Sequence, residues 1–82
     1  VTKVVPADQL DAALKVYVDY FAQAPTKAIG MIKKMLNKSG TSTLDEMLDY
    51  EAYSQETAGN TIDHQEGVKA FLEKRKPVFL GK

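Results

Sequence analysis

The chain has 82 residues, no cysteine, a single histidine, and 11 lysines and arginines set against 11 aspartates and glutamates. A chain this short makes one domain that buries only about 60% of its unfolded surface, and its composition excludes disulfides, thiolate sites and a soft-metal site as the missing support, which leaves contact with a partner or another domain. The even charge offers no field for nucleic acid or an anionic membrane, and with no apolar run near the roughly 18 to 20 residues of a membrane span and no secretion signal the chain reads as soluble and cytoplasmic.

Val1 to Val5 is a short β-branched stretch, read as an extended lead-in over 1–5 that Pro6 stops. Leu10, Ala13, Leu14, Tyr17, Val18 and Phe21 then recur at helical spacing, with Asp11, Lys15 and Asp19 on the other side, which predicts a first helix near 7–24. Pro25 ends it and suits the opening of a second helix near 26–38, whose apolar stripe is Ala28, Ile29, Ile32, Met35 and Leu36. Ser39-Gly40 closes that helix, and Lys33, Lys34 and Lys38 gather where the helix dipole favours cations.

Thr43 and Glu46 have the spacing of a capping box and open a third helix near 44–58. Its stripe is mixed, since Leu44, Met47, Leu48 and Ala52 share it with Glu51 and Gln55 while Tyr50 and Tyr53 lie elsewhere, so this helix is expected to touch more than its own core. Gly59-Asn60 tolerates the left-handed conformation after a helix. Asp63 with Glu66 forms a second capping-box-like pair, opening a last helix near 63–75, and 76–82 follows as a tail. The fold class is all-α, with about four short amphipathic helices in a single domain over 1–82.

Candidate chemistry is sparse. The carboxylates on helical faces are Glu46, Glu51, Glu56 and Glu66; capping accounts for Glu46 and Glu66. Glu51 interrupts an apolar stripe and is a candidate acid or base, although a partly buried pair with a lysine of a neighbouring helix explains it equally well. His64 falls in a polar first turn with no serine or cysteine spaced for a triad, so no catalytic residue and no metal ligand is assigned. The five glycines lack a phosphate-loop spacing. Gly30 and Gly67 stand inside helices, where glycine costs about 1 kcal/mol against alanine, so a close approach of another backbone or a ligand is expected at each. Lys69, Lys74, Arg75 and Lys76 give the last helix a basic end. Two readings stay open for it: complement to the helix dipole, or contact with the phosphates of a nucleotide-bearing ligand beside Phe71 or Phe79.

The run Asp63-His64-Gln65-Glu66-Gly67 through Ala70-Phe71, Glu73-Lys74-Arg75 and Pro77-Val78-Phe79 resembles the closing stretch of the enoyl-CoA hydratase/isomerase (crotonase) superfamily. Val1-Thr2-Lys3-Val4-Val5-Pro6 is similar to the family's segment that leaves its spiral core. Ala24-Pro25-Thr26-Lys27-Ala28 with Ile32 to Asn37, and Leu44 to Gln55, resemble its small-Pro-x-Ala, Lys-x-x-Leu-Asn and Leu-x-x-x-Leu-x-x-Glu patterns. These motifs occur in order over nearly the whole chain. Ser54-Gln55-Glu56 and Asn60 to Asp63 look closest to the branch linked to phenylacetyl-CoA degradation.

The resemblance implies the C-terminal helical domain of a crotonase-like fold. In that family the oxyanion-hole amides and catalytic carboxylates belong to the upstream core, so this region would help to form a homo-oligomer, a trimer or dimer of trimers, and roof the acyl-CoA site without catalysing alone. Its partners would be its own upstream core, neighbouring subunits and an acyl-CoA substrate, with no nucleic acid and no membrane; coenzyme A enters as the substrate thioester and not as a bound cofactor. The implied CoA contacts are Lys74 and Phe71. The alternative from another class is a free-standing four-helix acyl-CoA-binding or protein-interaction module, whose Tyr-Lys-Gln-Ala-Thr stretch Tyr53 to Thr57 echoes, with Ser54 where that family has lysine.

Overall fold

The computed structural model describes every residue from Val1 to Lys82 and is all-α, with no strand. A 3-10 turn at Ala7–Gln9 leads into α1 (Leu10–Ala22), followed by α2 (Thr26–Ser39), α3 (Leu44–Gly59) and α4 (Ile62–Leu72), and an extended tail runs from 76 to 82. No helix is long and apolar enough to cross a membrane.

Local chemistry explains the ends of these elements. The expected first helix near 7–24 is shorter in its α part, because Pro6 starts a tight 3-10 turn, with the Gln9 amide on the Pro6 carbonyl at 2.9 Å, and the backbone leaves the helix at Gln23 ahead of Pro25. Pro25 then caps α2, its carbonyl accepting from Ile29 N–H at 3.1 Å. Thr43 caps α3, its hydroxyl oxygen accepting from Glu46 N–H at 3.2 Å. The returning half of the expected capping box takes another form: Thr43 Oγ1 donates to the Glu46 carboxylate at 3.1 Å. Asn60 has φ −88, so the left-handed conformation expected after α3 does not occur there.

The last helix departs furthest from expectation. Its cap is Thr61, whose hydroxyl accepts from His64 N–H at 3.0 Å, so Asp63 lies inside the first turn and Asp63 with Glu66 is not a capping box. The helix also stops at Leu72, short of the expected 75. Lys74 adopts φ 54, the Arg75 amide returns to the Ala70 carbonyl at 3.0 Å and the Lys74 amide to the Phe71 carbonyl at 3.2 Å. That pair of bonds is a Schellman closure, with a lysine where glycine is usual.

Packing is thin. The molecule measures 45 × 39 × 18 Å, and only Ala24, Ser54, Thr61, Asp63 and Ala70 are buried. α2 and α3 make the main interhelical contact, with Lys38 Nζ 5.6 Å from the Tyr50 ring centroid, and α3 and α4 make a smaller one. No helix packs along α1, so Leu10, Leu14, Tyr17, Val18 and Phe21 stand exposed on one side of it. Sequence periodicity marks that stripe as a burial face, and nothing in these 82 residues buries it. Gly30 likewise faces open space, with no atom within 4 Å of a Cβ placed there, so the close approach expected at this glycine is absent within the chain.

Candidate functional site

The tail folds back along α4 because two carboxylates of that helix receive its backbone. Asp63 occupies the first turn, where the helix dipole favours an anion, and the residue is almost wholly buried at 3% exposure. Its Oδ1 accepts from Leu80 N–H at 2.7 Å, and Oδ2 accepts from Gly81 N–H at 2.8 Å and Lys82 N–H at 3.2 Å. The Asp63 amide in turn donates to the Lys82 carbonyl at 2.9 Å. Three successive amides wrapped around an anion, with Gly81 at φ 76, form a backbone nest. Gly81 is favoured there for a second reason, since a Cβ would stand 2.6 Å from Thr26 Oγ1 and one of the two would have to shift.

One turn along α4, Glu66 holds the root of the same tail. Arg75 donates Nη1 to Glu66 Oε1 at 2.6 Å and Nη2 to Oε2 at 3.1 Å, and Val78 N–H donates to Oε1 at 3.0 Å. Arg75 Nε also donates to Glu73 Oε2 at 2.6 Å. The Arg75 hydrogen bonds, then the Val78 amide, hold the Glu66 carboxyl down at about 2, from an ordinary 4.5. Hydrogen bonds to Glu66, and then to Glu73, raise Arg75 above its usual value, so the pair stays charged. Glu66 is therefore an anchor for Arg75 and the tail, and not the capping partner expected from its spacing to Asp63.

Phe79 lies between these two fastenings. Its ring edge is 3.6 Å from where a Cβ on Gly67 would stand, an ordinary contact, so the approach expected at Gly67 is made by an aromatic ring and not by another backbone. A hollow of about 490 Å3 opens between the start of α2 and α4, with Lys27 and Ala28 on one side and Gly67, Val68, Phe71 and Phe79 on the other. A second hollow of about 530 Å3 runs from the end of α1 to Lys76, Pro77 and Val78. Pro25 and Phe79 line both, so together they partition the two.

The structure places Phe71 in the wall of the first hollow, the residue 82% exposed and open to anything that covers α4. Lys74 stands outside that wall, in its left-handed backbone position just beyond the helix end, and forms no ion pair. Arg75 is engaged by Glu66 and Glu73 and so withdrawn from the group of basic residues that could meet phosphate. The cation that does line the hollow is Lys27, and Phe79 is its second ring; periodicity gave no signal for either. His64 is exposed at the rim. Glu51 is exposed and pairs with no lysine, which corrects the expectation of a partly buried ion pair.

Chemically, the hollow offers an apolar wall, an exposed ring and a nearby cation, which suits a ligand with a flat or apolar portion and an anionic one. Asp63, the carboxylate that lines it, and Glu66, one turn along the same helix, already accept from backbone amides or from Arg75, which leaves them poorly placed to take a proton from a substrate.

Comparison with known proteins places this architecture. The sequence model of the family described as Enoyl-CoA hydratase/isomerase matches residues 1–82. The 1,2-epoxyphenylacetyl-CoA isomerase of Escherichia coli (strain K12) is 48% identical over 63 residues, covering 77% of this chain and 24% of that protein. An enoyl-CoA hydratase-type protein of Mycobacterium bovis is 38% identical over 79 residues, covering 96% of this chain and 31% of that protein. A solved enoyl-CoA hydratase/isomerase-type structure from Mycobacterium abscessus superposes over 100% of this chain and 32% of its own, with a TM-score of 0.95 at 33% identity. The chain thus spans about a quarter to a third of the length of the relatives it matches.

Proposed function

Because the chain belongs to the enoyl-CoA hydratase/isomerase family, we propose that it is the C-terminal helical part of an enzyme acting on acyl-CoA thioesters. In this reading it lies against a larger core and neighbouring subunits of a homo-oligomer, walls part of the thioester site, and leaves the reacting groups to the core. The observation that carries the reading is the uncovered apolar side of α1 in a slab only 18 Å thick: such a surface needs a cover larger than these helices provide. Phe71, exposed on the wall of the α2–α4 hollow, offers a flat apolar contact for CoA, and Lys74 an unpaired cation beyond it. The resemblance to 1,2-epoxyphenylacetyl-CoA isomerase favours an aromatic acyl-CoA substrate in the phenylacetyl-CoA branch; a cytoplasmic setting is part of the same proposal.

The test compares the full-length protein with residues 1–82 alone, each given crotonyl-CoA and phenylacetyl-CoA-derived thioesters. Turnover by the full-length protein and none by the 82-residue piece is the expected result. Turnover by the piece well above background overturns the placement of chemistry upstream. A free-standing acyl-CoA-binding module is disfavoured by the same exposed α1 surface, because a self-sufficient bundle hides its apolar faces against one another. Sub-micromolar acyl-CoA binding by the monomeric piece would reverse that preference.

A further inference from the structure

Within these 82 residues the tail lies on the body of the molecule with little apolar burial to hold it. Val78 is 67% exposed and Leu80 63% exposed, and of the residues from 78 to 80 only Phe79 is partly covered. What fastens it is polar and placed at two points: Val78 N–H on Glu66, and the amides of Leu80, Gly81 and Lys82 on Asp63. Phe79 is the residue between the fastenings, and it stands at the partition between the two hollows.

Asp63 is an unusual anchor. It is buried, no lysine or arginine pairs with it, and its charge is met by backbone amides in the tail and by the start of α4. An asparagine in its place could accept with its oxygen but would turn NH2 donors toward amides that also donate, so the nest would lose at least one bond and gain a donor-donor conflict. The tail would be freed while Thr61, which caps α4, is untouched.

We propose that residues 77–82 form a strap fastened by Asp63 and Glu66, and that Asp63 is a positioning residue which, through the tail backbone, sets Phe79 and hence the shape of the hollow beside Phe71. The proposal rests on the reading above for what occupies the hollow, and not for the strap itself. A fastened strap keeps the two hollows separate. Released, it removes the ring from Gly67 and from the partition with Pro25, so the wall presented to a thioester loses its shape.

The experiment uses the full-length protein with para-fluorophenylalanine at position 79, as wild type, Asp63→Asn and Gly81→Ala. Amide hydrogen exchange, fluorine NMR and steady-state kinetics with acyl-CoA are read on each. Loss of charge-assisted bonds should speed exchange at Leu80, Gly81 and Lys82 by about tenfold or more in Asp63→Asn. The amides of Ser54 and Ala70 should stay unchanged, which a general loss of stability would not allow. The fluorine signal should move toward that of a solvent-exposed ring, and KM should rise with kcat held. Gly81→Ala, which disrupts the nest from the tail side, should reproduce the pattern even if Asp63→Asn fails to fold. Protection at 80–82 that survives both substitutions, or an unmoved fluorine signal, overturns the strap. A loosened tail with unchanged KM overturns the positioning role. A wild-type protein that binds no acyl-CoA defeats the functional reading, while exchange and fluorine NMR still decide the strap.

Discussion

The amide of Arg75 closes α4 by reaching the carbonyl of Ala70 at 3.0 Å, and it can do so because the intervening Lys74 takes a left-handed backbone at φ 54. Ala70 is the most deeply buried hydrophobic residue of the chain, so the turn is fixed at a point that cannot easily slide. The closure points the chain back toward Glu66, where the guanidinium of the same Arg75 takes hold.

A lysine in that conformation is strained relative to glycine. Lys74→Gly should stabilise the helix end by about 1 kcal/mol, measured by denaturant unfolding of the full-length protein. If Lys74 also contacts CoA, the same variant should bind the thioester more weakly while being more stable. A variant that gains stability and keeps its affinity would remove Lys74 from the site.

The Glu66 carboxyl, held at about 2 in the folded protein against 4.5 in the free side chain, sets a direction for acid sensitivity. Because its folded value is depressed, the stabilisation is fully present above about pH 4.5 and is lost as pH falls from there toward 2. The protection factor of the Val78 amide, taken against the intrinsic exchange rate at each pH, should fall over that window. Glu66→Gln should show a low protection factor at Val78 already at neutral pH, with no further fall on acidification attributable to this position.

The two glycines at the tail contact, Gly67 beneath it and Gly81 within it, should respond in opposite ways. Gly67→Ala puts a methyl at ordinary contact distance from Phe79 and gains helix propensity, so it should be neutral or stabilising by up to about 1 kcal/mol. Gly81→Ala must place a Cβ 2.6 Å from Thr26 Oγ1 at φ 76, and should loosen the tail. Exchange at Leu80 and the unfolding midpoint separate the two.

Charge placed on the open side of α1 tests whether that surface has a cover. Leu14→Asp with Phe21→Asp should change the stability of residues 1–82 alone very little, by no more than about 0.5 kcal/mol per position, since both side chains are already exposed there. In the full-length protein the same pair should reduce stability or assembly strongly, seen by sedimentation and thermal unfolding. Equal small effects in both would mean that α1 stays open to water.

The helices were legible in the sequence because their punctuation is local: Pro25 between the first two, Thr43 ahead of the third, and apolar spacing along Leu10 to Phe21. Asp63 was not, because as a helix-capping residue type it competes with Thr61 two positions earlier, and only the returning tail shows which of them caps. Lys74 was missed as a helix stop for a similar reason, since lysine at a left-handed position carries no compositional signal. Of the site, Phe71 and Phe79 were visible as rings beside the basic end of the last helix, and the resemblance then implied Phe71 as a CoA contact. Lys27 and Phe79 meet there only because the tail folds back, a relationship between residues some 50 positions apart that no window of sequence contains.

A slab 18 Å deep is less than two helix diameters through. It has no interior in the usual sense, and nearly every apolar side chain in it is a boundary residue whose burial is decided by what lies next door. Substitutions scored for stability in these 82 residues alone would therefore rank the caps, the helix closures and the strap. The positions that matter for fit against a neighbour would pass such a screen unnoticed.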